Sequence, residues 1–543
     1  MSDTRTRTAP LVPAVSLILA LYCTNATAQQ APAAADAAAP AAPAAPAERT
    51  VTINEYIVRG NTVLDGRAIE RAVTPFLGPS RTLADVESAR AALQAAYQEH
   101  GYQSIYVDLP EQQVTGGVVL LQVAETRVGQ VAVTGARHND PEKLRERVPA
   151  LQAGVVPDFA KAQEQLTALN RGGKRQVIPL VKQGTAEGTM DVELKVEDQS
   201  PWRFNASVNN DHSTDTDPLR TVLSIGNDNL WQREHGASLT WFAAPEDLDQ
   251  ASVISASYVL PLGTPDWMLE FSGYTSDSNV LTAGETSVTG KGHSFGAKIS
   301  HTLPMTGAWW HQLSLGVSFN DRSEEVGMVD QKAQTVPLKY APVTFAYSGF
   351  RQGERHLVSS GVSLVFGTRS LFGYGSDAAA FDWARYKADP SFFVLKADLG
   401  DTLTFGTGMQ LASRISVQHT DRPLTSGEQF AAGGMYTVRG YRSAEAIGDI
   451  GAQGSVELRT RAFSLPGVQD WRIYTYLDGA WLKLKEPLPE QEDEFKLGSV
   501  GLGTSLRMFD TLNVRLDYGY PLTDGPTTTQ GAHRLHFSIG AGF

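Results

Sequence analysis

The chain has 543 residues and a formal net charge of −13, longer than one ordinary domain requires and too acidic to give a nucleic acid its basic footprint. Apolar residues make up 42 % and charged residues 19 %. That balance is not that of a disordered chain and suffices to fill a core or coat a barrel.

Arg5 and Arg7 precede an apolar run from Leu11 to Leu21, and Ala26-Thr27-Ala28 supplies a small-x-small cleavage pattern. This predicts a signal peptide over residues 1–28, with cleavage before Gln29. The single cysteine, Cys23, lies inside the leader, and Tyr22 stands where a lipoprotein needs a small residue, so neither lipidation nor thiol chemistry is expected of the mature chain. No later run reaches the roughly 18 apolar residues of a membrane helix, so any membrane crossing must use strands. Residues 29–50 form an Ala/Pro-rich linker; Pro32, Pro40, Pro43 and Pro46 favour an extended spacer and leave room for only a short helix between Ala33 and Ala39.

A diffuse repeat follows. Tyr56 to Asp65 (YIVRGNTVLD) aligns with Val131 to Asp140 (VAVTGARHND) at an offset of 75, which sets Gly60 against Gly135. Val119, Leu121 and Val123 match Val192, Leu194 and Val196 at an offset of 73. Between these strands each copy reads helical. Thr82 and Asp85 resemble a capping box before Val86, Ala89, Leu93 and Tyr97, and Asp158 can cap a helix that buries Phe159, Ala162, Leu166 and Leu169. The order strand, helix, helix, strand, strand resembles the POTRA module, a periplasmic polypeptide-binding domain, in two copies over 51–126 and 127–200.

From Pro201 to Phe543 helical periodicity disappears and period-two segments take over. Trp202, Phe204, Ala206 and Val208 alternate with Arg203, Asn205 and Ser207, one face suited to lipid and the other to water. Strands are predicted at about Ala452 to Arg461, Trp471 to Trp481, Gly498 to Leu506, Leu512 to Tyr520 and Arg534 to Phe543. Their connections alternate between short (FSLPGVQD, RMFDT) and long and polar (LKLKEPLPEQEDEFK, PLTDGPTTTQGAH), as periplasmic turns and outer loops do. At about 21 residues per strand with its connections, residues 201–543 hold roughly 16 antiparallel strands of a transmembrane β-barrel. The fold class is therefore mainly β, with two small α+β domains ahead of the barrel.

Within this pattern Val438, Arg439, Gly440 and Tyr441 (VRGY) fall in an outer loop. Two strands further on, alternation turns Arg472, Tyr474, Tyr476 and Asp478 to the lumen. A lumenal carboxylate wants a cation, and arginine offers a bidentate match. With YLDGAW around Asp478, two POTRA-like modules, a terminal phenylalanine strand, and the echoes PWRFNASVNNDHS, GNDNLWQREH and SYVLPLG, the chain resembles the transporter component of two-partner secretion, the family that exports haemolysins and filamentous adhesins.

The resemblance implies an outer-membrane pore with its POTRA domains in the periplasm. It implies that the partner is a large β-helical haemolysin or adhesin, bound unfolded and exported without nucleotide hydrolysis. It implies further that the VRGY loop folds into the barrel, with Arg439 paired to Asp478 as a lumenal latch, Gly440 permitting the tight tip and Tyr441 packing beside it. The same resemblance implies that the barrel assembly machinery reads Phe543 and that lipid surrounds the barrel. Family members often carry an N-terminal plug helix; here the short, proline-rich segment leaves it shortened, different or absent. The lumen would be lined by Arg203, Asn205, Arg459, Arg472, Arg515 and Asp517. No Walker-type loop or HExxH motif occurs, and no enzymatic activity, cofactor, metal or nucleic-acid partner is expected. The alternatives are an outer-membrane protein insertase of the same superfamily, which usually carries more than two POTRA modules, and a porin-like channel, which carries none.

Overall fold

The computed structural model describes residues 49–543 apart from 171–173, 215, 278–280, 283–287, 290 and 329–330. The leader, Cys23 and the segment in which a plug helix was considered lie outside the described residues.

Two α+β units come first. In the first, Glu55–Arg59 runs parallel to Val118–Ala124, which pairs antiparallel with Tyr106–Asp108, and helices Gly66–Val73 and Leu83–Glu99 cover the sheet. A short pair, Val51–Ile53 with Gly78–Arg81, is added to the expected order. The long helix starts on a true capping box. The Thr82 amide donates to Asp85 at 2.8 Å and the Asp85 amide to the Thr82 hydroxyl at 3.3 Å, and Val86, Ala89, Leu93 and Tyr97 fill the core. The second unit repeats the plan: Arg127–Thr134 lies parallel to Thr189–Asp198, which pairs with the edge strand Arg175–Gln183, and Ala162, Leu166 and Leu169 of helix Phe159–Leu169 are buried. Phe159 is only partly buried against that core.

The matched glycines have one cause. Gly60 and Gly135 adopt φ of +89° and +80°, and a Cβ on either would stand 2.3 Å and 2.4 Å from the carbonyl oxygens of Val123 and Val196, on the neighbouring parallel strand. Only glycine permits that backbone approach. The two units also interlock. Val156, from the loop before the second unit's long helix, belongs to the first unit's core, and the Phe159 amide donates to Gly101 O at 2.9 Å.

The remaining chain closes into a barrel of sixteen antiparallel strands. The first is Trp202–Asn209, the second Arg220–Leu230 and the eleventh Gln410–Thr420. The last five are Ile450–Arg459, Val468–Lys483, Glu494–Met508, Leu512–Pro521 and Arg534–Gly542, some reaching two to four residues beyond their sequence-based bounds. Outward positions are apolar and exposed, as at Trp202 (48 %) and Leu502 (62 %). Closure joins the last strand to the first, where Phe543 and Phe204 exchange both backbone hydrogen bonds at 3.0 and 3.2 Å, while the Phe543 ring points outward. Among the described residues, one α-helix, Ala378–Ala384, interrupts the barrel region in the outer loop after the ninth strand, His356–Phe366. Its seven residues are too few to show a period, but Asp377 caps it through the Ala380 amide at 2.9 Å.

The second unit is clasped to the turn between the first two barrel hairpins. Trp231, Gln232 and Glu234 there adopt left-handed backbone conformations. Glu234 accepts from both Arg147 and Arg175, the latter at 2.6 Å; Gln232 Nε2 donates to His138 O at 3.0 Å, and Asp228 bridges Lys174 to Arg203.

Candidate functional site

The loop between the eleventh and twelfth strands carries the VRGY sequence. Its stem is a short hairpin, Phe430–Ala432 paired with Ala446–Gly448, which folds inward so that Val438, Arg439, Gly440 and Tyr441 are all buried. The receiving wall comes from the last five strands. Alternation along Val468–Lys483 turns Tyr474, Tyr476 and Asp478 inward, and the facing positions on the fourteenth strand are Gly503 and Gly501. A Cβ on Gly501 would lie 2.3 Å from the Tyr476 ring and one on Gly503 2.3 Å from the Tyr474 ring, so the absence of side chains lets both aromatics lie flat on the wall.

Arg439 is fully buried on this surface. Its Nε and Nη2 donate to the two oxygens of Asp478 at 2.7 Å each, and its backbone amide donates to the same carboxylate at 3.1 Å. Nη1 reaches Glu457 at 2.6 Å and Asp517 at 3.3 Å, Nη2 reaches Ser455 Oγ at 3.0 Å, and the guanidinium carbon sits 3.4 Å from the centre of the Tyr476 ring. Fork-to-carboxylate pairing, a third and fourth hydrogen-bonding partner and an aromatic face are the features that suit arginine and not lysine. The carboxylates are themselves held: Ser455 Oγ donates to Asp478 at 2.6 Å, Tyr474 OH to Asp517 at 2.8 Å, and Arg459 and Arg515 pair with Glu457 and Asp517, each at 2.6 Å.

The neighbours of Arg439 complete the seat. Gly440 has φ of +94° and lies against Gly519 of the fifteenth strand, and its amide donates to His536 Nε2 at 3.1 Å. Tyr441 OH lies within hydrogen-bond distance of the carbonyls of Gly498 and Thr523, at 2.9 and 2.7 Å. On the other side, Asp211 and His212, just after the first strand, hold both arms of the loop: Asp211 accepts from the Met435 amide and His212 O from the Ser443 amide, each at 2.9 Å. Glu445 accepts from the amides of Thr527 and Thr528 in the last outer loop, at 2.7 and 2.6 Å.

Asp478 thus stands beside Arg439. The charged residues expected in the lumen separate into ion pairs, Arg203 with Asp228, Arg459 with Glu457, Arg472 with Asp470 and Arg515 with Asp517, while Asn205 Nδ2 donates to Ser224 Oγ at 3.4 Å. Ser455, Glu457, Tyr476, Gly519 and Asp211 were not anticipated as parts of the seat. A cavity of about 270 Å³ opens beside it, lined in part by Arg414, Ser455, Glu457, Arg459 and Arg515.

The profile of the haemolysin secretion/activation proteins ShlB/FhaC/HecB matches residues 188–507, and that of the ShlB-type POTRA domain matches residues 51–126. The chain belongs to the ShlB/FhaC/HecB family. It is a two-partner secretion transporter of the outer membrane, with its POTRA domains in the periplasm and its barrel in the bilayer. Among curated relatives it is similar to the outer membrane transporter CdiB of Escherichia coli O6:K15:H31, 25 % identical over 476 residues that cover 84 % of this chain and 76 % of that one. In fold it is similar to the structure of CdiB from Escherichia coli, with a TM-score of 0.59, 19 % identity and 93 % of both chains covered. BamA from Haemophilus ducreyi lacking POTRA domains 1–3 shares the fold at a TM-score of 0.53 and 14 % identity, covering 91 % of this chain and all of that one.

Proposed function

We propose that this transporter binds an unfolded exoprotein of the haemolysin or adhesin type in the periplasm, passes it through the barrel lumen without nucleotide hydrolysis, and gates that passage with the inward-folded loop. Val438, Arg439, Gly440 and Tyr441 form the latch and Asp478 is its strand partner. The observation that carries the proposal is the burial of Arg439 inside the lumen against Asp478, on a loop that otherwise belongs to the outer surface.

The entry side supports the same reading. Strand Arg175–Gln183 is an open edge of the second POTRA sheet and exposes Ile178, Leu180 and Val181. An extended partner segment can add to such an edge through main-chain hydrogen bonds. Arg175, where the edge begins, is the residue clasped to Glu234 of the barrel turn, so the edge starts at the mouth of the pore. Phe543 is proposed as the signal read by the barrel assembly machinery.

The test compares culture supernatants and outer-membrane proteomes of a deletion strain complemented with the wild type or with Arg439→Ala. One or two large exported proteins should vanish from the medium in the deletion and in Arg439→Ala while other barrels keep their abundance. A joint fall of many barrel proteins would instead identify an insertase.

A further inference from the structure

The wall that receives Arg439 is a receptor for a guanidinium group as such. Its parts are a buried carboxylate approached by the fork at 2.7 and 2.7 Å, a second carboxylate at 2.6 Å, a serine hydroxyl at 3.0 Å and an aromatic face at 3.4 Å. Every one of these groups belongs to a barrel strand and none to the loop, so the receptor remains on the wall when the loop leaves.

The ion pairs show what withdrawal does. Among the described residues, Glu457 also pairs with Arg459 at 2.6 Å and with Arg515 at 3.6 Å, and Asp517 pairs with Arg515 at 2.6 Å. Asp478 makes its close ion pair with Arg439, while Arg414 acts on it only from a greater distance. Once Arg439 departs, Glu457 and Asp517 keep a closely paired cation and Asp478 does not. The vacated place therefore selects one forked cation at Asp478, over the Tyr476 ring. It is reachable, because the adjoining cavity shares Ser455 and Glu457 with it and is lined by residues of the lumen.

We propose that Asp478, Ser455, Glu457 and Tyr476 form a binding site that Arg439 occupies at rest and that arginine side chains of the polypeptide in transit occupy in turn. Each such side chain competes with Arg439 for Asp478 and so holds the loop out while the chain is passing. This rests on the proposed latch: it adds that the barrel wall recognises the exported chain by its guanidinium groups.

The test uses the full-length protein in planar lipid bilayers, with guanidinium chloride replacing sodium chloride at equal ionic strength. Free guanidinium bound at the vacated site stabilises the unlatched form by mass action, so it should lower the latched fraction of the wild type dose-dependently, about tenfold at about ten times its dissociation constant for the site. In Arg439→Ala the free ion should fill the vacant site and shift the conductance back toward the wild-type resting value, and Asp478→Asn should abolish both responses. Arg439→Lys gives a second variant that keeps the charge without the fork, and heat-modifiable migration on gels checks that each barrel is folded.

A further arm adds, from the POTRA side, an extended peptide containing arginines or its glutamine counterpart. Longer blockades by the arginine peptide in Arg439→Ala, lost again in Asp478→Asn, support the exported chain as the ligand. A response to the free ion without any difference between peptides overturns that assignment, and no response to either overturns the site. If Arg439→Ala conducts like the wild type, the latch itself fails, an outcome visible before any guanidinium is added.

Discussion

Gly519→Ala should expel the loop without touching a charge. A Cβ on Gly519 would stand 2.5 Å from the Gly440 nitrogen, 2.7 Å from its Cα and 2.9 Å from the Arg439 carbonyl carbon, whereas ordinary contact begins at 3.4 Å. All three atoms are backbone, so no rotamer change relieves the clash, and the loop must retreat by about 1 Å, well beyond what a packed interior absorbs freely. Taken along the fork, that retreat stretches the two 2.7 Å bonds to Asp478 past 3.5 Å, where they cease to be hydrogen bonds. Leaving a buried charge without its partner costs about 3–5 kcal/mol, and overpacking alone costs about 1–3 kcal/mol. A net loss of about 3 kcal/mol lowers the seated fraction relative to the expelled one by about two orders of magnitude. Trypsin on intact cells provides the assay, since Arg439 and Arg442 lie on the loop, the first fully and the second partly buried in the seated form. Wild type should resist, Gly519→Ala should be cut within the loop, and barrel abundance should be unchanged. A variant as resistant as the wild type at normal abundance would refute the seat described here.

Three further outcomes follow from the same contacts. Tyr476→Phe should leave trypsin resistance and export unchanged, because the ring stays beneath Arg439 and the hydroxyl has no hydrogen-bond partner among the described residues; Tyr476→Ala, which removes a desolvated cation–π contact of about 2 kcal/mol, should impair both. Val156→Ser should uncouple the two POTRA units, read as a broadened distance distribution between spin labels placed one on each, because it withdraws a buried side chain worth about 1.5–3 kcal/mol from the first unit's core. At Glu234 burial pushes the carboxyl up, but the hydrogen bond from Arg175 and the charges of Arg147 and Arg175 outweigh it and hold the group below the usual glutamate range. A depressed carboxylate contributes stability above the unfolded value of about 4.3 that is lost as the pH falls through the folded one, so spin-label distances between the second POTRA unit and the barrel should broaden only below about pH 4 in the wild type and already at neutral pH in Glu234→Gln.

The sequence made local features legible and left pairings hidden. Alternation along a single strand suffices to turn Asp478 inward, and a repeated glycine betrays the two POTRA units because each stands at the same backbone crossing, beneath Val123 O or Val196 O. The rest of the Arg439 seat depends on register between strands. Glu457 meets Tyr476 and Tyr476 meets Gly501 only because the twelfth, thirteenth and fourteenth strands are staggered as they are, and nothing within any one of those segments encodes the offset. Asp211 is more remote still, 224 residues from the amide it holds. Gly519 reads as an ordinary strand glycine until Gly440 is brought against it. The short helix Ala378–Ala384 carries less than two helical turns of pattern, so its only sequence signal is the cap at Asp377.

The energetics of the Arg439 seat explain how one ion pair can be both firm and releasable. Removing the arginine by mutation strands Asp478 in a place from which the rest of the loop still excludes water, and the full desolvation penalty is felt. Withdrawing the whole loop is a different process. The same movement that takes Arg439 away uncovers the wall, and water from the adjoining cavity can solvate Asp478 as the guanidinium is solvated outside. The Coulombic attraction lost and the solvation regained then largely cancel, as they do when buried pairs are transferred to water. What holds the loop at rest is therefore the sum of its neutral contacts, Tyr441 with Gly498 and Thr523, the Met435 and Ser443 amides on Asp211 and His212, and the backbone packing of Gly440 on Gly519, while the charges fix where it sits. A loop seated this way resists single substitutions strongly and concerted movement weakly, which is what the gating proposed above requires.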